Sequence, residues 1–176
     1  MRDGPGPSPL VTKHLDLAPD GPALDVACGG GRHAVWIAHT GRPVDAIDRD
    51  VERCRALKAE ATRGQLPLRV VCADLESFPL PRRRYAAIVN TLYLDRALIP
   101  RLVDALLPGG ILVFETFVVE QLAMGHPRNP AFVLGPNELL RSVPSLRVLV
   151  YREGAVERGG TTVHLASLVA RAPSCP

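Results

Sequence analysis

The sequence predicts an α/β fold: a doubly wound, mostly parallel sheet that ends in an antiparallel hairpin. Three observations predict it. Short apolar runs alternate with segments whose apolar residues recur at helical spacing, which is the pattern of βαβ units. A glycine cluster, Gly29-Gly30-Gly31, follows the first apolar run directly. The last two apolar runs are separated by a stretch too short for a helical crossover.

Residues 1–19 read as an N-terminal arm or lid, rich in Gly and Pro (Gly4-Pro5-Gly6-Pro7, Pro9), with a short helix possible over Leu10–Leu17. Pro19-Asp20-Gly21-Pro22 makes a turn, and residues 20–176 form a single sheet domain. Ala23–Cys28 is the first strand. His33–Thr40 carries Ala34, Val35, Ile37 and Ala38 at helical spacing and is closed by Gly41. Pro43–Asp48 is the second strand, and Asp50 caps a helix with Val51, Cys54, Leu57, Lys58 and Ala61 on one side, ending near Gly64. Leu68–Cys72 and Tyr85–Asn90 are the third and fourth strands. A helix begins near Pro100, with Val103, Leu106 and Leu107 as its stripe, and Pro108-Gly109-Gly110 stops it. Ile111–Val119 is the fifth strand; Leu146–Glu153 and Thr161–Ala170 form the hairpin, with Gly154, Gly159 and Gly160 between them.

Composition bounds the function. Hydrophobic residues are 47% and charged residues 22% of 176, which is globular composition. The longest apolar run, Ile111–Val119, contains Glu115 and falls short of the roughly 20 residues that a membrane span needs. The first residues, Met1-Arg2-Asp3-Gly4-Pro5, open no apolar signal core, so a soluble, cytoplasmic protein without a membrane partner is expected. A net charge of +3 is too small and too diffuse for a nucleic-acid footprint. Arg82-Arg83-Arg84 reads as a solvated loop before a strand. The cysteines form no C-x-x-C pair; Cys28 and Cys72, inside apolar runs, read as small buried hydrophobes. No metal site is expected, and the oligomeric state is left open.

In an open parallel sheet, ligands bind beyond the carboxyl ends of the strands. The first strand runs into Asp25-Val26-Ala27-Cys28-Gly29-Gly30-Gly31, whose glycines let backbone amides approach a ligand at a helix start. The second strand ends at Asp48, about 20 residues past Gly29, where an acid accepts from ribose hydroxyls. Because Asp50 is the better helix cap, Asp48 is left free for that role, with Arg49 beside it. The third strand ends in Ala73-Asp74-Leu75, where an acid can accept from an adenine amino group between flanking side chains. The fourth ends at Asn90. Together these define an adenosine site. Gly29-x-Gly31-x-x-Ala34 also satisfies the dinucleotide fingerprint, so an NAD(P)-binding oxidoreductase is the rival reading. Asp25 inside the first strand, Asp74 at the third, and a closing hairpin in place of a second mononucleotide half all oppose it. A non-catalytic adenosine-binding protein is the other alternative.

Leu24–His33 resembles motif I of the class I S-adenosylmethionine-dependent methyltransferases, D/E-x-G-x-G-x-G. Val44–Asp48 resembles their second motif, Cys72–Leu75 their third and Pro108–Leu112 the turn before their fifth strand. The likeness covers about residues 20–120 and extends into the hairpin. One departure is Ala27 in place of the first glycine, which is expected to narrow the loop without abolishing binding. Gly31-Arg32-His33, Arg96-x-Leu98-x-Pro100, Glu115-Thr116-Phe117, Gly125–Pro130 and Gly135–Leu139 are most similar to the small TehB-like (tellurite-resistance) bacterial methyltransferases. The resemblance implies a Rossmann-like class I methyltransferase fold, S-adenosylmethionine as cofactor, and Asp25, Ala27, Cys28, Gly29, Gly31, Asp48, Arg49, Ala73, Asp74, Leu75 and Asn90 around it.

Methyl transfer from a sulfonium is a direct displacement, which proximity and exclusion of water accelerate. A soft acceptor such as a thiolate or a reduced chalcogen oxyanion needs no strong base; a hydroxyl or amine does. Tyr93, His126 and Arg128 are the catalytic candidates: Tyr93 near the expected methyl, Arg128 as partner of an anionic substrate. A packing aromatic and a rigid surface loop are the competing readings. His33 reads as structural or cofactor-adjacent, and His14 sits in the arm. Asn90-Thr91-Leu92-Tyr93 lacks the Asn/Asp-Pro-Pro-Tyr/Phe pattern of enzymes that methylate amino or amide nitrogens. With the sheet domain consuming most of the chain, only the arm and Val118–Asn137 remain to recognise an acceptor, which predicts a small molecule.

Overall fold

The structure, a computed structural model, describes residues 6–174. The first five residues of the arm and Cys175 lie outside the described residues. Seven strands form one sheet in the order β3-β2-β1-β4-β5-β7-β6. They are β1 (Ala23–Val26), β2 (Val44–Asp48), β3 (Leu68–Cys72), β4 (Tyr85–Thr91), β5 (Leu106–Phe117), β6 (Arg147–Arg158) and β7 (Thr161–Arg171). The first five are parallel. β7 runs antiparallel to both β5 and β6. The helices are α1 (Pro9–His14), α2 (Arg32–His39), α3 (Val51–Arg63), α4 (Leu98–Ala105) and the single turn α5 (Glu138–Arg141). Among the described residues no helix is long and apolar enough to cross a membrane.

Two apolar layers sandwich the sheet. One packs Val11, Ala34, Ile37 and Leu57 of α1, α2 and α3 on Ala46, Val89, Ile111 and Val113. The other packs Leu98, Ile99 and Leu102 of α4 and Leu139 of α5 on Ile88, Leu112, Phe114 and Leu168. Strand alternation sends successive residues of β5 to opposite layers, which is why its apolar run is continuous. The arm is part of this core: Ser8 caps α1 by accepting from Leu10 N, and Val11 and Leu15 are buried. Asp50 caps α3, accepting from the amides of Glu52 and Arg53.

Several boundaries differ from expectation. β1 ends at Val26, so Cys28 belongs to the loop. Helix α4 starts at Leu98 and stops at Ala105, where Leu106 turns to extended geometry (φ −68°, ψ 140°). Leu106, Leu107 and Pro108-Gly109-Gly110 are therefore the start of β5 and not the end of the helix. Gly110 permits this because a Cβ there would meet carbonyl oxygens of Leu107 and Tyr85 at 2.9 and 3.0 Å. β6 runs on through Gly154, and the turn is only Gly159-Gly160, with φ of 55° and 75°, the left-handed pair that tight hairpins favour. Cys72 is exposed, not buried: it ends the edge strand β3, and residues 73–84 return to β4 without a helix to cover it. Arg82-Arg83-Arg84 lies in an exposed loop, with Arg82 pairing Asp104 at 3.3 Å and Arg84 pairing Asp45 at 3.5 Å.

Candidate functional site

The sheet register builds the site's floor. Val26 pairs with Ile47 on one side and Asn90 on the other. Asp48 pairs with Cys72, Thr91 with Glu115, and Glu115 with Ser167. The carboxyl ends of the parallel strands thus form one row, Cys72, Asp48, Ala27, Thr91 and Glu115, with Ser167 of antiparallel β7 beside Glu115. Above it the backbone is unusual. Ala27, Gly29 and Gly31 alternate in the left-handed region, with φ of 50°, 56° and 78°, and Leu92, just past β4, has φ 57°. Two side-chain-bearing residues in this region, at the ends of neighbouring strands, mark stored strain of the kind found at functional sites. Ala27 occupies the position where the resemblance expects glycine, and its conformation is one that glycine adopts at no cost. Ala27→Gly is therefore expected to raise stability by about 0.5–1 kcal/mol, the relieved strain less the added freedom of the unfolded chain. Urea unfolding checks this: a lower midpoint than the parent removes the strain argument.

The acids around the loop have distinct tasks. Asp25 is 1% exposed, and its Oδ2 accepts from Ala34 N of α2 at 3.0 Å. Burial raises its carboxyl to about 7, with the Ala34 amide and Arg32 opposing the shift. Asp25 thus fixes α2 beneath the glycine loop. Asp48 is not free of backbone partners as expected: its Oδ2 accepts from Gly29 N at 2.7 Å and its Oδ1 from Asp50 N at 2.9 Å. It is half-buried, and each oxygen keeps a second lone pair for a ligand. The Asp48 carbonyl accepts from Ala73 N at 2.9 Å, which joins the ends of β2 and β3. Asp74 is exposed and closes a turn by accepting from Glu76 N at 3.0 Å, while Leu75 is buried beside it. Arg49 is exposed between these two ends. Cys28 is buried under the loop, and burial pushes its thiol far above the ordinary range, so it acts as packing.

Asn90 is 1% exposed. Its Nδ2 donates to the carbonyl of Tyr93 at 2.8 Å, and its Oδ1 has no partner among the described residues. The Tyr93 hydroxyl is held above its usual range by partial burial and then by the negative charges of Asp95, Asp74 and Glu76, with Arg49 opposing. Those neighbours place Tyr93 on the β3 side of the site. Asp25, Ala27, Cys28, Gly29, Gly31, Asp48, Arg49, Ala73, Asp74, Leu75 and Asn90 are thus brought to one end of the sheet. His126 and Arg128 lie on the segment that follows β5 at the same edge, and no hydrogen bond or ion pair joins them to these residues among the described residues. His126 is exposed and meets the edge of Phe117 with ring centroids 6.3 Å apart. Arg128 is exposed and makes no hydrogen bond or ion pair among the described residues. Their segment is held down by Arg96, which donates to Ala131 O and Val133 O at 2.9 Å each and pairs with Glu138.

Sequence reasoning missed a buried network on the other flank. Glu115 is 4% exposed at the end of β5. It accepts from Ser167 Oγ at 2.8 Å, from Ser8 Oγ at 3.3 Å and from Arg158 of β6. His33, buried on α2, accepts at Nε2 from Ser8 N at 3.1 Å and faces Thr91 Oγ1 through Nδ1 at 3.5 Å. Burial lowers the His33 imidazole to about 3, with Arg32 and Arg158 adding to the shift. The one sequence signal was Glu115 itself, a charge in an otherwise apolar strand, which demands a partner. Arg101 was also missed: from α4 it donates to Leu75 O at 2.8 Å and to Phe78 O, fixing the turn that carries Asp74. A cavity of about 730 Å³ lies beside Glu115, between α1 and the β6–β7 hairpin.

Known proteins share this arrangement. Residues 23–110, half of the chain, match the methyltransferase domain family. An uncharacterized methyltransferase of Mycobacterium tuberculosis is 33% identical over 107 residues, 58% of this chain and 53% of that protein. The chain thus spans about half the length of the curated relatives it matches. The crystal structure of TehB from Haemophilus influenzae superposes with a TM-score of 0.78 at 19% identity, covering 93% of this chain and 61% of that one. Geranyl diphosphate C-methyltransferase from Streptomyces coelicolor, solved with S-adenosyl-L-homocysteine, superposes with a TM-score of 0.71 at 15% identity, covering 92% of this chain and 78% of that one. A parallel sheet closed by β7 between β5 and β6, with a glycine loop over β1 inside the matched segment, is the class I methyltransferase fold, and the chain belongs to the methyltransferase domain family.

Proposed function

We propose that the protein is an S-adenosylmethionine-dependent methyltransferase that acts on a small soft nucleophile, a thiol or a reduced chalcogen oxyanion. The observation that carries this reading is the left-handed backbone of Ala27, Gly29 and Gly31 beside Asp48 at the ends of adjacent parallel strands. The residues fit that cofactor. Gly30 has open space around its Cα, and the unpartnered Oδ1 of Asn90 is an acceptor for an ammonium or amino group. In this reading Asp48 accepts from the ribose hydroxyls, Asp74 and Leu75 hold the adenine, and the loop amides receive the carboxylate. When bound, S-adenosylmethionine supplies a methyl group on a positively charged sulfur. The chain's own contribution is to orient, to exclude water and to hold the acceptor in line. Tyr93 packs on the adenine side and supplies shape more than proton transfer. His126 and Arg128, on the exposed segment, take no part in the transfer.

Asp48→Asn keeps the acceptor for Gly29 N while removing the charge that a ribose would meet. Isothermal titration with S-adenosylhomocysteine is expected to show affinity lower by about ten- to a hundredfold, the worth of one or two charged hydrogen bonds. Unchanged affinity would place the ribose elsewhere. Thermal shift separates the nicotinamide alternative: stabilisation by S-adenosylhomocysteine and not by NAD(H) is expected, and the reverse overturns the methyltransferase reading.

A further inference from the structure

The cavity beside Glu115 opens next to the cofactor loop. Arg32, which follows Gly31, and Leu92, which follows Thr91, both line it. Its walls are largely apolar, with Leu10 of α1, Phe117 of β5, Val156 of β6 and Leu165 of β7, and Lys13, Arg32, Arg152 and Arg158 add positive charge to the lining. The volume, about 730 Å³, is that of a site for an organic molecule with a substantial carbon body. The buried Glu115 carboxylate in its lining is held by three donors and paired with a cation, Oε1 accepting from Ser8 and Arg158 and Oε2 from Ser167. A residue so tied neither repels an anionic nucleophile strongly nor serves readily as a base.

From these features we infer that the acceptor is an aromatic thiol whose carbon body fills this cavity, and not a chalcogen oxyanion. This rests on the methyltransferase reading above and selects between its two acceptor classes. The cationic side chains of the lining would attract either anion, but an oxyanion of a few atoms leaves most of about 730 Å³ unfilled and loses hydration against the apolar part of the wall. An apolar thiol buries its body there. An arenethiol also ionises near neutral pH without help, which suits a pocket whose carboxylate is occupied. The thiol proton leaves to solvent. The thiolate lone pair then forms the new sulfur–methyl bond as the methyl–sulfonium bond breaks, and that bonding pair stays on the departing sulfur. The products are a methyl thioether and S-adenosylhomocysteine, so charge and atoms balance.

The test uses the full chain with S-adenosylmethionine and three acceptors: naphthalene-2-thiol, cysteine and selenite. Methylation of the naphthalenethiol with the highest kcat/KM is expected. Val156 is half-buried at the cavity wall, so Val156→Trp narrows the cavity with little risk to the core. It is expected to raise KM for the naphthalenethiol by about tenfold, the cost of overpacking, and to leave S-adenosylhomocysteine affinity unchanged. A preference of the parent chain for selenite or cysteine overturns the inference, as does a KM that Val156→Trp leaves unchanged. The comparison of acceptors on the parent chain decides the matter even where the variant does not fold. Failure to bind S-adenosylhomocysteine at all is a different result: it overturns the methyltransferase reading itself.

Discussion

Gly31→Ala is expected to destabilise the fold by about 3 kcal/mol, from overpacking and a left-handed side chain together. The added Cβ would stand 2.3 and 2.6 Å from the two methyl carbons of Leu57, far inside van der Waals contact. Leu57 is 1% exposed on α3 and has no solvent to move into. Gly31 also holds φ 78° as the N-cap that precedes α2, so strain adds to the clash. The contrast is Gly30, whose Cβ would meet nothing within 4 Å. Gly30→Ala should change stability by about 0.5 kcal/mol or less, as surface substitutions do. Denaturant midpoints of the two variants, measured together, test the close approach of α2 to α3. Equal midpoints would mean that the two helices do not meet at Gly31. Cofactor affinity should fall in Gly31→Ala as well, because the loop amides are carried by the same turn.

The second large effect is in pH. Asp25 has a carboxyl near 7 in the fold against 3.8 when free. Between those values the unfolded chain has lost a proton that the native chain retains, so stability falls as pH rises, by about 1.4 kcal/mol per unit. His33 acts in the opposite sense. Its imidazole is near 3 in the fold against 6.5 when free, so below 6.5 the unfolded chain takes a proton that the native chain refuses. Stability there rises with pH by the same slope. In the parent chain the two slopes cancel between about pH 4 and 6.5, and neither is visible. Asp25→Asn matches the protonated carboxyl in shape and exposes the His33 slope. Relative to the parent, it is expected to gain about 4 kcal/mol between pH 4 and 7.5. His33→Gln should show the mirror image, losing stability from pH 4 to 7. Parallel urea titrations of the three proteins decide it; curves that stay parallel to the parent would show that the two groups titrate normally.

Much of the fold was legible because its signals are local. The alternation of apolar runs with helical spacing, the Asp50 cap and the short hairpin connection each involve a few neighbouring residues. The element ends were less legible. The apolar spacing of Val103, Leu106 and Leu107 fits a helix stripe as well as a strand start, and only the crowding of Gly110 against β4 decides for the strand. Cys72 looked buried because its own strand is apolar, but burial depends on what covers an edge strand, which its neighbours in sequence do not encode. The glycine loop, Asp48 and Asp74 were readable as a set because strand ends in a parallel sheet fall on one edge. The partners of Arg96, Arg101 and Arg158 were not readable, since they reach backbone carbonyls or carboxylates of distant segments.

By itself, then, the sequence determined the parallel sheet, the closing hairpin and the acids and glycines at its carboxyl edge, because each follows from periodicity and turn chemistry along the chain. Only the tertiary structure decided that Ala27 and Leu92 carry left-handed strain, that Glu115 is tied between Ser8, Ser167 and Arg158, and that a largely apolar cavity opens beside the glycine loop. The strain sits in the turns that leave β1 and β4, while the Glu115 network and the cavity come from α1 and β5–β7 meeting in space, and the spacing of residues along one chain carries no record of such a meeting.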